Sequence, residues 1–155
     1  MLVQGIQVVQ VENNIYCMDH QLLIDFDTEA MSFSSVIRLS DLEIQEIQNL
    51  ICYRFGIDLD NVWCWENMAH IDTIIEYGNE NGLNKIKLLF NTNPVVKLVV
   101  TDEDTPPWFG FKGKVFDLLE VVNKLRYFEF FIVNEDCNII VFDTHQNALV
   151  LSRNI

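Results

Sequence analysis

The sequence has 155 residues, half of them apolar and 12% aromatic, which is enough for one packed domain that needs neither disulfides nor metal to hold its core. Lys and Arg number 10 against 23 Asp and Glu, a formal net charge of −13. That balance excludes non-specific nucleic-acid binding, which needs a surplus of cations against phosphate, and speaks against an anionic membrane surface as partner.

The elements can be read in chain order. The first forty residues hold short alternating apolar runs, Ile6–Val11 and Gln21–Phe26, which predict strands. Ser40-Asp41-Leu42-Glu43 is a capping-box pattern, and Gly56 stands where a left-handed residue closes a helix, so the segment between them is predicted helical. Ile44, Ile47, Leu50, Ile51 and Phe55 form its core stripe, and Leu42, Gln45, Glu46, Asn49 and Tyr53 its outer face. Val62-Trp63-Cys64-Trp65 predicts a short aromatic strand, followed by a helix near Ala69–Tyr77 closed by Gly78. Leu83–Phe90 fits a helical turn or a strand. Val95–Thr101 is an apolar β-branched strand, and Asp102-Glu103-Asp104-Thr105-Pro106-Pro107 an acidic loop stopped by proline. Trp108–Gly113 reads as a hydrophobic loop folding onto the sheet. After it, Val115, Leu118, Leu119, Val122 and Leu125 share a helical face, with Glu120 and Lys124 spaced to pair. Tyr127–Val133 and Ile139–Asp143 predict a hairpin, with a last strand at Ala148–Leu151. Helices and strands segregated in runs imply one α+β domain, a mostly antiparallel sheet with helices packed on it.

The hairpin carries a polar cluster. Pairing Val133 with Ile139 sets Glu129 opposite Asp143 and Tyr127 opposite His145, all four on one face. Two carboxylates and an imidazole can serve as acid, base or metal ligands, and the competing reading has Glu129 capping a neighbouring turn with His145 in solvent. No nucleophile elbow, phosphate loop, dinucleotide fingerprint or zinc-protease helix occurs, so no enzyme is expected. Cys17, Cys52, Cys64 and Cys137 are widely spaced and form no metal or disulfide pattern. No cofactor and no metal are expected. The N-terminal MLVQGIQVVQ lacks a secretory pattern and no apolar run is long enough to span a bilayer, so the expected address is the cytoplasm.

The charge is unevenly placed: residues 1–77 carry thirteen acids and two bases, residues 78–155 ten acids and eight bases. An asymmetric field of this kind either keeps a protein soluble or steers a basic partner. The stretch Pro106–Leu151 resembles small bacterial immunity proteins of contact-dependent and polymorphic toxin systems. The likeness rests on Pro107-Trp108-Phe109, on Arg126-Tyr127-Phe128-Glu129-Phe130-Phe131-Ile132-Val133, and on Asp143-Thr144-His145-Gln146-Asn147. Where the family pattern has F-E-Y-Y and E-N-H-H-[DN], this chain has F-E-F-F and D-T-H-Q-N, so it carries one histidine of the pair. The resemblance implies an antitoxin that binds and neutralises a cognate toxin domain, one with a basic, nuclease-type cleft. The candidate contacts for that protein partner are Glu46, Tyr53, Asp58, Asp60, Asp102, Glu103 and Asp104. The alternatives are a small hydrolase or ligand-binding domain using Glu129, Asp143 and His145, and a regulatory interaction domain without catalysis.

Overall fold

The computed structural model describes residues 20–154. The expected strand Ile6–Val11 and Cys17 lie outside that range. The described residues form an α+β domain, as the segregated runs predict. Its elements are α1 (His20–Ala30), β1 (Ile37–Arg38), α2 (Asp41–Phe55), a 3-10 turn at Cys64–Asn67, β2 (Thr73–Glu76), α3 (Gly82–Leu89), β3 (Val95–Val100), β4 (Phe109–Lys114), α4 (Val115–Asn123), β5 (Phe130–Asn134), β6 (Ile139–Thr144) and β7 (Ala148–Arg153).

The strands form one seven-stranded sheet in the order β1-β4-β3-β5-β6-β7-β2, with every neighbouring pair antiparallel. The central strands are apolar at nearly every position because both faces are covered. Leu98, Val100, Phe130, Ile132, Val141 and Leu149 point to one side and pack with α1, α3 and α4. Val99, Phe131, Val133, Ile140, Phe142 and Val150 point to the other, against α2 and the Cys64–Asn67 turn. The described residues thus form three layers, with the sheet in the middle.

Helix α2 carries the caps its sequence predicts. The Ser40 hydroxyl accepts from the Glu43 amide while the Glu43 carboxylate accepts from the Ser40 amide, and Gly56 closes the helix at φ 66°. Its buried stripe is Ile44, Ile47, Ile51 and Phe55, and Leu42 and Tyr53 are exposed on the other side.

Four segments differ from expectation. Gln21–Phe26 is helical, part of α1: Leu22, Phe26 and Ala30 are buried at four-residue spacing while Ile24 faces solvent. Val62–Trp65 turns rather than extends, because Asp58 and Asn61 side chains accept from Asp60 and Trp63 amides and coil the backbone locally. Thr73–Glu76, expected inside a helix, is an edge strand paired with β7. Phe109–Lys114, expected as a loop, is a strand between β1 and β3. There Gly110 lies so close to β3 that an added Cβ would stand 2.5 Å from the Leu98 carbonyl oxygen, and Ile44 and Leu39 close over it. Glu120 and Lys124 do not pair with each other; Glu120 meets Lys87 of α3 and Lys124 meets Glu29 of α1, tying the three helices at their surface.

Candidate functional site

The polar hairpin cluster divides across the sheet. Register is Val133↔Ile140 and Phe130↔Asp143, one residue away from the expected pairing. The slip arises at the β5–β6 turn, where the Asn134 side chain accepts from the Asn138 and Ile139 amides and Cys137 takes a left-handed φ of 57°. Because side chains alternate, one residue of slip sends Asp143 to the α1/α3/α4 side and leaves Glu129 on the α2 side, while His145, beyond the end of β6, is turned back to Glu129 by the β6–β7 turn. Tyr127 lies before β5 and goes with Asp143.

On the α2 side, Glu129 is 2% exposed. Its backbone carbonyl accepts from the Thr101 and Asp102 amides, which holds the residue at the mouth of β5. One carboxylate oxygen, Oε2, accepts from the His145 backbone N–H at 2.7 Å and lies 2.7 Å from His145 Nδ1. Glu129 therefore caps the β6–β7 turn, as one of the two readings of the sequence has it. His145, however, is not in solvent. Its ring packs on Trp63 with centroids 4.8 Å apart and lies 5.9 Å from Trp65. Burial pushes the Glu129 carboxyl above the usual range, and the two His145 hydrogen bonds oppose that rise. With Nδ1 facing the carboxylate, the contact orients the imidazole and leaves Nε2 without a hydrogen-bond partner among the described residues.

Glu103 completes this group, its carboxylate 3.8 Å from His145 Nδ1. It is placed there by an unusual backbone: Asp102 and Glu103 both adopt left-handed φ, 47° and 60°. Glu103, Glu129 and His145 each offer a ligand atom within 4.8 Å of the others, a set that suits a divalent cation. A cation on Nδ1 would have to displace the 2.7 Å contact to Glu129, so the arrangement at hand is an oriented carboxylate–imidazole pair. Cys64, between the two tryptophans in sequence, is buried and its thiol is pushed up to about 12, first by desolvation and then by Glu129, so it is no ready nucleophile. Among the described residues Cys52, Cys64 and Cys137 are free thiols.

The expected partner contacts fall in three places. Glu46 and Tyr53 lie on the exposed face of α2, with Tyr53 88% exposed. Asp58 and Asp60 lie in the turn that leads to Trp63, which is itself 39% exposed. In the second acidic loop only Glu103 faces outward. Asp102 is held by Arg126 at 2.9 Å, and Asp104 accepts from the Thr105 amide and, through its carbonyl, from the Trp108 indole. Trp63 carries the exposed aromatic surface that the sequence gives no reason to separate from Trp65, since both sit in one apolar run; only the turn distinguishes them.

On the opposite side Asp143 is 5% exposed and accepts from the Tyr77 hydroxyl at 2.6 Å. Desolvation raises its carboxyl from the ordinary 3.8 to about 6, against the pull of that hydrogen bond and with the help of the Glu129 charge. Burial, and then the Asp143 carboxylate, raises the Tyr77 and Tyr127 hydroxyls as well. These groups line a cavity of about 290 Å³ between α3, α4 and the sheet end.

No family model, curated protein or solved structure matches this chain. Among the described residues no helix is long and apolar enough to cross a membrane.

Proposed function

We propose that the protein is an immunity-type inhibitor, an antitoxin that binds a basic toxin domain through the end of the sheet where Trp63, His145 and Glu103 meet. The observation that carries this reading is the contiguity of an exposed aromatic anchor with acids that no Lys or Arg among the described residues pairs with. Trp63 stacks on His145, His145 is locked by buried Glu129, and Glu103 stands beside it, with Asp58 and Asp60 in the loop that presents Trp63. A rigid aromatic supplies contact area at little entropic cost, and flanking carboxylates steer and orient a cationic cleft such as one that grips phosphates. The resemblance of Pro106–Leu151 to immunity proteins points the same way.

The test is binding to the partner recovered from the native host. Trp63→Ala should slow nothing in association but raise the dissociation rate by tenfold or more, about 1.4 kcal/mol. Glu103→Lys should instead slow association and weaken its dependence on salt. Equal binding by both variants and the unsubstituted protein would refute the reading.

A second reading, a small hydrolase, has one observation in its favour: the Glu129–His145 pair leaves Nε2 poised as a base. Asp143 cannot serve with it, being on the other face. In that case Glu129→Gln would abolish an activity without loss of fold.

A further inference from the structure

The cavity at the Asp143 end of the molecule serves none of the chemistry above. It opens between Tyr77 and Gly78 after β2, the start of α3, and the end of α4, and its floor is the β5–β6 pair. Asp143 lies at that floor, paired with Phe130 across the strands. The carboxylate is nearly sealed from solvent, yet the one hydrogen bond it receives from a described residue is from the Tyr77 hydroxyl, and no described cation pairs with it. A buried carboxylate without a cation is uncommon, because the ionised form loses its hydration with only partial replacement. Arg126 stands at the rim, but its guanidinium bridges Asp102 at 2.9 Å and donates to the Tyr127 carbonyl. Lys85, near the same rim, reaches Glu80 at 3.2 Å.

Four aromatic residues, Tyr77, Tyr127, Phe128 and Phe130, line it together with the aliphatic Leu83, Val122 and Leu125 and with polar groups at its rim. Aromatic rings around a carboxylate are the surroundings in which organic ammonium groups are bound, the rings through their quadrupoles and the carboxylate through its charge. At about 290 Å³ the cavity falls at the small end of ligand sites, large enough for an alkylammonium chain and too small for a nucleotide.

We infer that this cavity is a binding site for an alkylammonium group, with Asp143 as its counter-charge and Tyr77, Tyr127, Phe128 and Phe130 as its aromatic walls. The ammonium is the chemistry shared by a free small amine and by a lysine side chain presented on a polypeptide. Tyr77 holds the Asp143 carboxylate in place from one side and leaves the other side for the ligand's N–H donors. This site is separate from the Trp63–His145 surface and stands or falls independently of the immunity reading.

The experiment is an NMR titration of the full chain at fixed ionic strength with n-butylammonium chloride, with neutral n-butanol, and with acetyl-lysine-amide. Tyr77 and Tyr127 ring resonances are the readout, assigned through Tyr77→Phe and Tyr127→Phe. The expected result is saturable shifts of both rings with the butylammonium ion and none of comparable size with butanol. Asp143→Asn should weaken the ammonium by roughly tenfold or more, the loss of one charge-assisted contact. Tyr127→Leu, at a half-exposed position where folding is not at stake, should weaken it also. Saturation by both the free amine and acetyl-lysine-amide assigns the site to lysine side chains as well; saturation by the free amine alone assigns it to small amines. Equal response to butanol, no saturable response to the ammonium, or undiminished binding by Asp143→Asn and Tyr127→Leu would overturn the inference.

Discussion

Replacing Asp143 with Asn keeps the shape of a buried side chain and removes its charge, which makes it a direct measure of what that charge costs the fold. In the folded protein desolvation raises the carboxyl from the ordinary 3.8 to about 6. That interval corresponds to about 3 kcal/mol in favour of the neutral form once the chain is folded. A raised folded value means that the native state holds the proton more tightly than the unfolded one, so the contribution of Asp143 to stability falls as pH rises. The penalty is absent below about pH 4, where both states are protonated, grows between about 4 and 6, and is complete above that. Asn mimics the neutral acid and can still accept from the Tyr77 hydroxyl. Asp143→Asn should therefore stabilise the protein by up to about 3 kcal/mol at pH 7.5, a rise of roughly 6–12 °C in Tm for a domain of this size, and by close to nothing at pH 4. Urea unfolding at the two pH values, with equal slopes checked for both proteins, reads the difference. A variant less stable than the parent at pH 7.5, or a gain that is the same at both pH values, would refute the reasoning.

Other substitutions test the scaffold around the sites. Ser40→Ala removes half of the α2 capping box and should cost about 1 kcal/mol, read as a lower urea midpoint with unchanged slope. Gly110→Ala drives a Cβ to 2.5 Å from the Leu98 carbonyl, a backbone atom that cannot step aside; a loss of about 1–3 kcal/mol is expected, and a neutral result would contradict the close approach of β3 and β4. Glu129→Ala leaves the His145 amide without its acceptor and should cost about 1–3 kcal/mol and alter Trp63 fluorescence, whereas Glu129→Gln, which keeps an accepting oxygen, should spare the fold.

The parts of the fold that were legible in the sequence are those whose signals are local. The Ser40–Glu43 box and Gly56 define α2 because caps satisfy backbone groups within one turn, whatever the tertiary surroundings. The hydrophobic runs of β3, β5, β6 and β7 are legible for the opposite reason, since burial on both faces leaves no other reading for short β-branched segments. Where one pattern fits two periods, the sequence misleads. Leu22, Ile24 and Phe26 alternate like a strand, yet Leu22 and Phe26 are also one helical turn apart, and only packing against Phe109, Phe111 and Phe128 decides between them. The glycines of Phe109–Lys114 look like loop residues, and their role appears only when Leu98, Leu39 and Ile44 arrive from elsewhere in the chain. The candidate site was legible as a set of residues and not as a geometry. The structure divides the four into Glu129 with His145 and Asp143 with Tyr127: a one-residue register, fixed by the Asn134 side chain, parts Asp143 from Glu129, and Tyr127 and His145 lie beyond the strand ends, where alternation no longer sets the face. Trp63 joins His145 across about eighty residues of sequence, a contact no local pattern announces.

Whether the Trp63–His145–Glu103 end of the sheet binds a basic protein is decided by capture from the native host. The tagged protein and its Trp63→Ala/Glu103→Lys double variant, shown first to fold alike, are each used to capture partners at low and high salt, with the bound proteins identified by mass spectrometry. The expected result is one stoichiometric partner of basic charge on the unsubstituted protein, retained less well as salt rises and lost from the double variant. A partner held equally by both proteins, or no partner on either, would contradict it.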